Sequence, residues 1–114
     1  MYFYKSSNGN CQIEEFLDAQ PGKVAKKILW VLKLLEDIAE VPSTYFKKVT
    51  GSDGIWECRV QLGSNIYRIL CFYADNNSII LTNGFVKKSQ KLPKNEIIKA
   101  EMFKNDYLLR EGKK

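Results

Sequence analysis

Apolar and polar positions follow two rhythms along this chain, and the change from one to the other divides it. Tyr2, Phe3 and Tyr4 make a short strand-like run within Met1 to Lys5, and the polar stretch Ser6-Ser7-Asn8-Gly9-Asn10 breaks it. Ile13, Phe16 and Leu17 fall at helical spacing and predict a short helix that ends before Pro21-Gly22. From Lys23 to Glu40, Val24, Ile28, Val31, Leu32, Leu35 and Ile38 form a wide stripe at the helical period. That stripe predicts the longest helix, stopped by Pro42 and Ser43. Tyr45 to Asp53 reads as a connection carrying Lys47 and Lys48.

The rhythm then shortens to the two-residue alternation of strands. Ile55 to Leu62, Asn65 to Ala74 and Ser78 to about Val86 are predicted as three consecutive strands. Gly63-Ser64 fits a two-residue hairpin loop with Gly first, which suits a type II′ turn. Asp75-Asn76-Asn77 supplies the second turn. Pro93 opens a last helix, Lys94 to about Arg110, with Ile97, Ala100, Phe103 and Tyr107 on one side. The expected order is β-α-α-β-β-β-α: one α+β domain over residues 1–114, an antiparallel meander with two N-terminal helices and a C-terminal helix packed on it.

Composition narrows the class. Hydrophobic residues make up 45% and charged residues 27%, the profile of a globular domain with an ordinary core. The N-terminus shows no secretory pattern, and the longest apolar run, Ile28 to Leu35, is interrupted by Lys33 and is too short to span a bilayer. Cys11, Cys58 and Cys71 are odd in number and irregularly spaced, which argues against a disulfide framework and for a reduced, cytoplasmic protein. There is no histidine, so histidine metal sites, Ser–His and Cys–His nucleophile pairs and the usual general base are excluded. Neither a metal site nor a cofactor is expected.

The net charge of +5 is unevenly placed. Up to Asn83, nine basic residues balance nine acidic ones; from Gly84 onward, nine Lys/Arg stand against Glu96, Glu101, Asp106 and Glu111. The excess fits either a polyanionic or acidic partner or a solvated helix face.

The first hairpin can be registered from its turn. With Gly63 and Ser64 in the loop, Leu62 faces Asn65, Val60 faces Tyr67, and Arg59 faces Arg68. Like charges directly opposite each other destabilise a sheet. Either an anion comes to sit between them, or Glu57, two residues along on the same face, neutralises the pair. Either two-residue choice for the second turn puts Ile79, Leu81, Asn83, Phe85 and Lys87 on this face too. The face then divides: Ile55, Leu70, Phe72, Ile79 and Leu81 read as core, while Arg59, Gln61, Arg68, Asn83 and Lys87 gather into a basic, hydrogen-bonding patch. The opposite face (Trp56, Cys58, Val60, Ile69, Cys71, Ile80) reads as core under the helices. Lys88, Gln90 and Lys91 add cations and an amide beside the patch. Phe85 and Tyr67 are candidates either for stacking on a base or for the core. Lys47 and Lys48 either widen the patch or belong to a solvated loop.

These residues carry a resemblance. Gly54-Ile55-Trp56-Glu57-Cys58-Arg59-Val60, Tyr67-Arg68-Ile69-Leu70, Gly84-Phe85-Val86-Lys87-Lys88-Ser89-Gln90-Lys91-Leu92-Pro93 and the closing Asp106-Tyr107 together resemble the HigB-like, phage-derived branch of the RelE/ParE toxin superfamily. The similarity runs from about Tyr45 to the end. It implies a RelE-like fold and a type II toxin whose usual activity is ribosome-dependent cleavage of messenger RNA. It also implies an antitoxin partner, often one with a helix-turn-helix DNA-binding domain. It carries catalytic roles to Arg59, Arg68, Lys87 and Lys88, while Glu57 is the only nearby strand carboxylate that could act as base. Lys47, Lys48, Gln61, Asn83, Phe85, Gln90 and Lys91 make up the expected RNA-binding set. Asn83 stands where many HigB-like sequences have His. The alternatives are a ParE-like gyrase inhibitor and a non-catalytic, phage-derived binding module.

Overall fold

A computed structural model describes residues 1–37, 45–75, 78–87 and 93–111, with the backbone alone at Lys87. The elements are β1 (Tyr2–Phe3), α1 (Gln12–Asp18), α2 (Gly22–Asp37), β2 (Phe46–Lys48), β3 (Trp56–Leu62), β4 (Asn65–Tyr73), β5 (Ile79–Lys87) and α3 (Lys94–Arg110). The strands form one mixed sheet in the order β1-β5-β4-β3-β2, with β1 parallel to β5 and the other pairs antiparallel. The result is an α+β fold compatible with a RelE-like architecture. Ile38 to Glu40, Pro42, Ser43, Asn76 and Asn77 lie outside the described residues.

One strand more than expected is present. Phe46–Lys48, read from sequence as connection, pairs with β3 as Phe46 to Cys58, Lys47 to Glu57 and Lys48 to Trp56. Phe46 is buried and stacks on Trp56 at 5.1 Å between ring centroids, which ties this edge strand down. Three residues are too few to show a period-two pattern, so only the tertiary contact reveals it.

The β3–β4 hairpin has the expected register, including Arg59 opposite Arg68. Gly63 has φ +65° and no described non-glycine residue has positive φ, so only the first loop residue is left-handed, as a type II′ turn requires.

The β4–β5 pairing corrects the expected face assignment. Leu70 faces Asn83, whereas Cys71 faces Leu81, so Thr82 is an extra residue at a bulge. Asn83 and Phe85 do share the face of Arg68, and the Lys87 backbone pairs with Ile66. Ile79 and Leu81, however, turn to the opposite face, and Ile80 crosses to the arginine face. The Thr82 hydroxyl lies 3.0 Å from the Leu70 carbonyl, where it satisfies an acceptor at the interruption of the ladder.

Helices cover both faces. On one, Ile13 and Leu17 of α1 and Val24, Ile28, Leu32 and Leu35 of α2 pack on Cys58, Val60, Tyr67, Ile69, Cys71 and Leu81. On the other, Ile97, Ala100, Phe103 and Tyr107 of α3 pack on Ile55, Leu70, Phe72 and Ile80. Gly84 lets α1 come close: a Cβ there would stand 2.7 Å from Phe16 and 3.0 Å from Ile69. The chain's two ends are clasped where Tyr4 donates a 2.6 Å hydrogen bond to Asp106, stacks on Phe103 and lies under Arg110. No described helix is long and apolar enough to cross a membrane.

Candidate functional site

Strand alternation places Glu57, Arg59 and Gln61 of β3 on the α3 side of the sheet, level with Leu70, Arg68 and Ile66 of β4. At the centre, the Arg68 guanidinium donates through Nη1 to Glu57 Oε2. Arg68 is 1% exposed and Glu57 is fully buried, so this is an internal ion pair. Arg59 Nε lies 3.7 Å from the same carboxylate oxygen, and its side chain keeps 19% of its surface exposed. Glu57 therefore sits between the two facing arginines and offsets their repulsion. By formal charge, the three groups retain one positive charge in excess.

Burial decides what each member can do. Two buried charges lose their hydration, and their attraction roughly offsets that loss only when both stay in place. Arg68 and Glu57 are thus fixed parts of the interior, and Arg59 is the member that reaches the surface. Glu57 Oε1 has no hydrogen-bond partner among the described residues. Its carboxylate holds Arg68 through Oε2, and acting as a base would remove the negative charge that offsets both arginines. The carboxylate also acts on the far side of its strand: the Cys58 thiol is pushed up to about 12, first by burial and then by the neighbouring Glu57 charge.

The other residues singled out from sequence divide by position. Phe85 stands directly opposite Arg68 and is half-buried against the α3 core. Lys47 is opposite Glu57 and exposed; Gln61 is exposed and opposite Ile66, which in turn faces Lys87. These positions share the arginine face. Lys48 pairs with Trp56 and faces the other way. Tyr67 is core on the α1–α2 side. Lys88, Gln90 and Lys91 lie outside the described residues.

Asn83 is not part of an open patch: it is 1% exposed. Its amide donates to the Glu96 carboxylate at 2.9 Å and is 3.3 Å from the Glu96 carbonyl, while the Thr82 hydroxyl is 2.7 Å from its oxygen. Asn83 thus pins the start of α3 onto β5 beside the arginines. Sequence reasoning singles out neither Glu96 nor Thr82 for the site. The acidic residue in the first turn of α3 was the available signal, but its partner is set by the bulge.

A family model, described as "Phage derived protein Gp49-like (DUF891)", matches residues 15–104. The chain belongs to this Gp49-like family. The matched span runs from within α1 into α3 and contains Glu57, Arg59, Arg68, Asn83, Phe85 and Lys87. No curated protein matches the chain.

Proposed function

We propose that this Gp49-like protein is the toxin of a type II toxin–antitoxin system and cleaves messenger RNA on the ribosome. One observation carries the reading: two arginines face each other across β3 and β4 on a single buried carboxylate, and one of them is partly exposed. Such a group is preorganised for a phosphate, because its donors are held in place before the anion arrives. The resemblance to the HigB-like branch of the RelE/ParE superfamily supports the same reading.

In the proposed reaction the RNA 2′-oxygen bonds to the adjacent phosphorus, the bond from phosphorus to the 5′-oxygen breaks, and the leaving 5′-oxygen takes a proton from water. The products are a 2′,3′-cyclic phosphate and a 5′-hydroxyl. Arg59 touches the phosphate and stabilises its growing charge. Arg68, held by Glu57, is a positioning residue that fixes Arg59 from the interior. Lys87 and Lys88 neutralise the leaving oxygen, and Lys47, Gln61, Phe85, Gln90 and Lys91 hold flanking RNA. Asn83 acts through α3, whose start it anchors. Without histidine, the proton of the 2′-hydroxyl passes to water, and the ribosome supplies alignment. The partner that restrains the toxin is an antitoxin with a helix-turn-helix domain.

Mapping transcript ends after induction tests the proposal. New ends within translated messages are expected, together with growth arrest. Arrest with intact transcripts and lost DNA supercoiling would instead indicate a gyrase inhibitor.

A further inference from the structure

The outward face of α2 takes no part in the site above. At about 100° per residue, Lys23, Lys26, Lys27, Trp30 and Lys33 fall within a sector of about 120°, and Lys23 and Lys33 are about 15 Å apart along the axis. The buried residues Val24, Ile28, Leu32 and Leu35 point the other way, into the core. All four lysines are exposed, and Trp30 keeps 61% of its surface exposed. None of the four lysines makes an ion pair among the described residues. Glu36, at the helix end, is bonded to the Met1 ammonium instead. Among the described residues, Asp37 is the only carboxylate in the sector.

Two features give this surface a ligand. Four lysines, of which only Lys33 feels a nearby carboxylate, Glu36, form a strip that complements a polyanion, and lysine acts on phosphate as a point charge. A large aromatic in their midst, at i+4, i+3 and i−3 from Lys26, Lys27 and Lys33, offers a flat face to an unpaired base. We propose that this face of α2 is a second RNA-binding surface, with the lysines on phosphates and Trp30 stacked on a base. Its RNA is not the strand at Arg59. α2 packs on the sheet face opposite Glu57 and Arg68, so the sheet and a helix diameter of about 10 Å separate the two surfaces. A protein gripping RNA on both sides is held against a large, folded RNA more firmly than by the cleavage site alone. The inference takes its ligand class from the proposed function, but its test needs no cleavage.

The probe is a short 2′-O-methyl oligoribonucleotide, which has no free 2′-hydroxyl and cannot be cut. In a full-length Trp56→Phe protein, Trp30 is the sole tryptophan. RNA should quench its fluorescence, and affinity should fall steeply with salt. Replacing all four lysines with Gln should flatten the slope of log K against log salt by about 3, from about 0.7 per phosphate contact. With the oligoribonucleotide labelled and binding read by its fluorescence anisotropy, Trp30→Ala should weaken binding about ten- to hundred-fold. These positions are exposed, so circular dichroism should show unchanged folding. Absence of quenching, or an unchanged slope in the folded Lys→Gln protein, would overturn the proposal. So would a blue shift of Trp30 on phosphatidylglycerol vesicles without RNA quenching, which would mark a membrane-surface helix. A protein that cuts no message yet shows Trp30 quenching refutes the function and keeps this surface.

Discussion

The buried Glu57–Arg68 pair makes the strongest energetic prediction. In Glu57→Leu the Arg68 guanidinium, 1% exposed, loses its carboxylate partner; in Arg68→Met the fully buried Glu57 carboxylate loses its main one. Removing one partner of a buried pair costs about 3–5 kcal/mol, since the remaining charge is left uncompensated. Total stability for a domain of this size is about 5–15 kcal/mol. Either single variant therefore forfeits a large share of it, equivalent to about 12–20 °C in Tm. Replacing both together leaves no fully buried stranded charge, since Arg59 is partly exposed, and apolar substitutes of similar volume often restore or raise stability. The double variant should lie within about 1 kcal/mol of the parent, giving a coupling of at least about 5 kcal/mol. Urea unfolding of the four proteins, with m compared to confirm two-state behaviour, measures it. Single variants that each cost less than about 1 kcal/mol, or additive costs in the double, would refute the reasoning. Arg68→Ala is consequently a poor probe of chemistry: loss of activity in it would report stability first.

Other expectations follow from particular contacts. Gly84→Ala should destabilise by about 1–3 kcal/mol in thermal or urea unfolding, because its methyl would press on Phe16 and Ile69; a neutral result would mean that α1 does not lie so close. Asp106 is held below its ordinary value of 3.8, chiefly by the Tyr4 hydroxyl, so it contributes stability above about pH 4 that is lost as pH falls through the lowered value. Tyr4→Phe should remove part of that acid-side loss while lowering stability at neutral pH, as equilibrium unfolding between pH 2 and 7 would show. The three cysteines are free and buried, and burial keeps the Cys58 thiol protonated at neutral pH. A thiol-reactive disulfide reagent at pH 8 should label none in the native protein and all three in denaturant.

The elements with long, regular patterns were legible in the sequence. The α2 stripe, the α3 side from Ile97 to Tyr107 and the Gly63-Ser64 turn each correspond to what the structure shows, and the turn fixed Arg59 against Arg68. Strand β2 was hidden because three residues carry no periodicity. The faces of Ile79, Ile80 and Leu81 were misread because one inserted residue, Thr82, reverses side-chain parity without any local mark in the apolar pattern. Burial of the patch was hidden for a different reason. A charged residue on an alternating strand signals solvent by default, and the approach of α3, with Glu96 on Asn83, turns that part of the face inward. Glu57 as counter-ion, one of two readings the sequence leaves open, is what the structure shows.

The central claim rests on Arg59, the member of the buried cluster that reaches the surface. Its most direct test is a defined message on purified ribosomes, incubated with the parent protein or with Arg59→Gln, which keeps the Glu57–Arg68 pair. The parent should generate fragments with new 5′-hydroxyl ends. Arg59→Gln should cut about a hundred- to a thousand-fold more slowly, the usual effect of losing one preorganised donor to a developing anion. An uncut message with the folded parent protein, or equal rates for the two, would contradict the account.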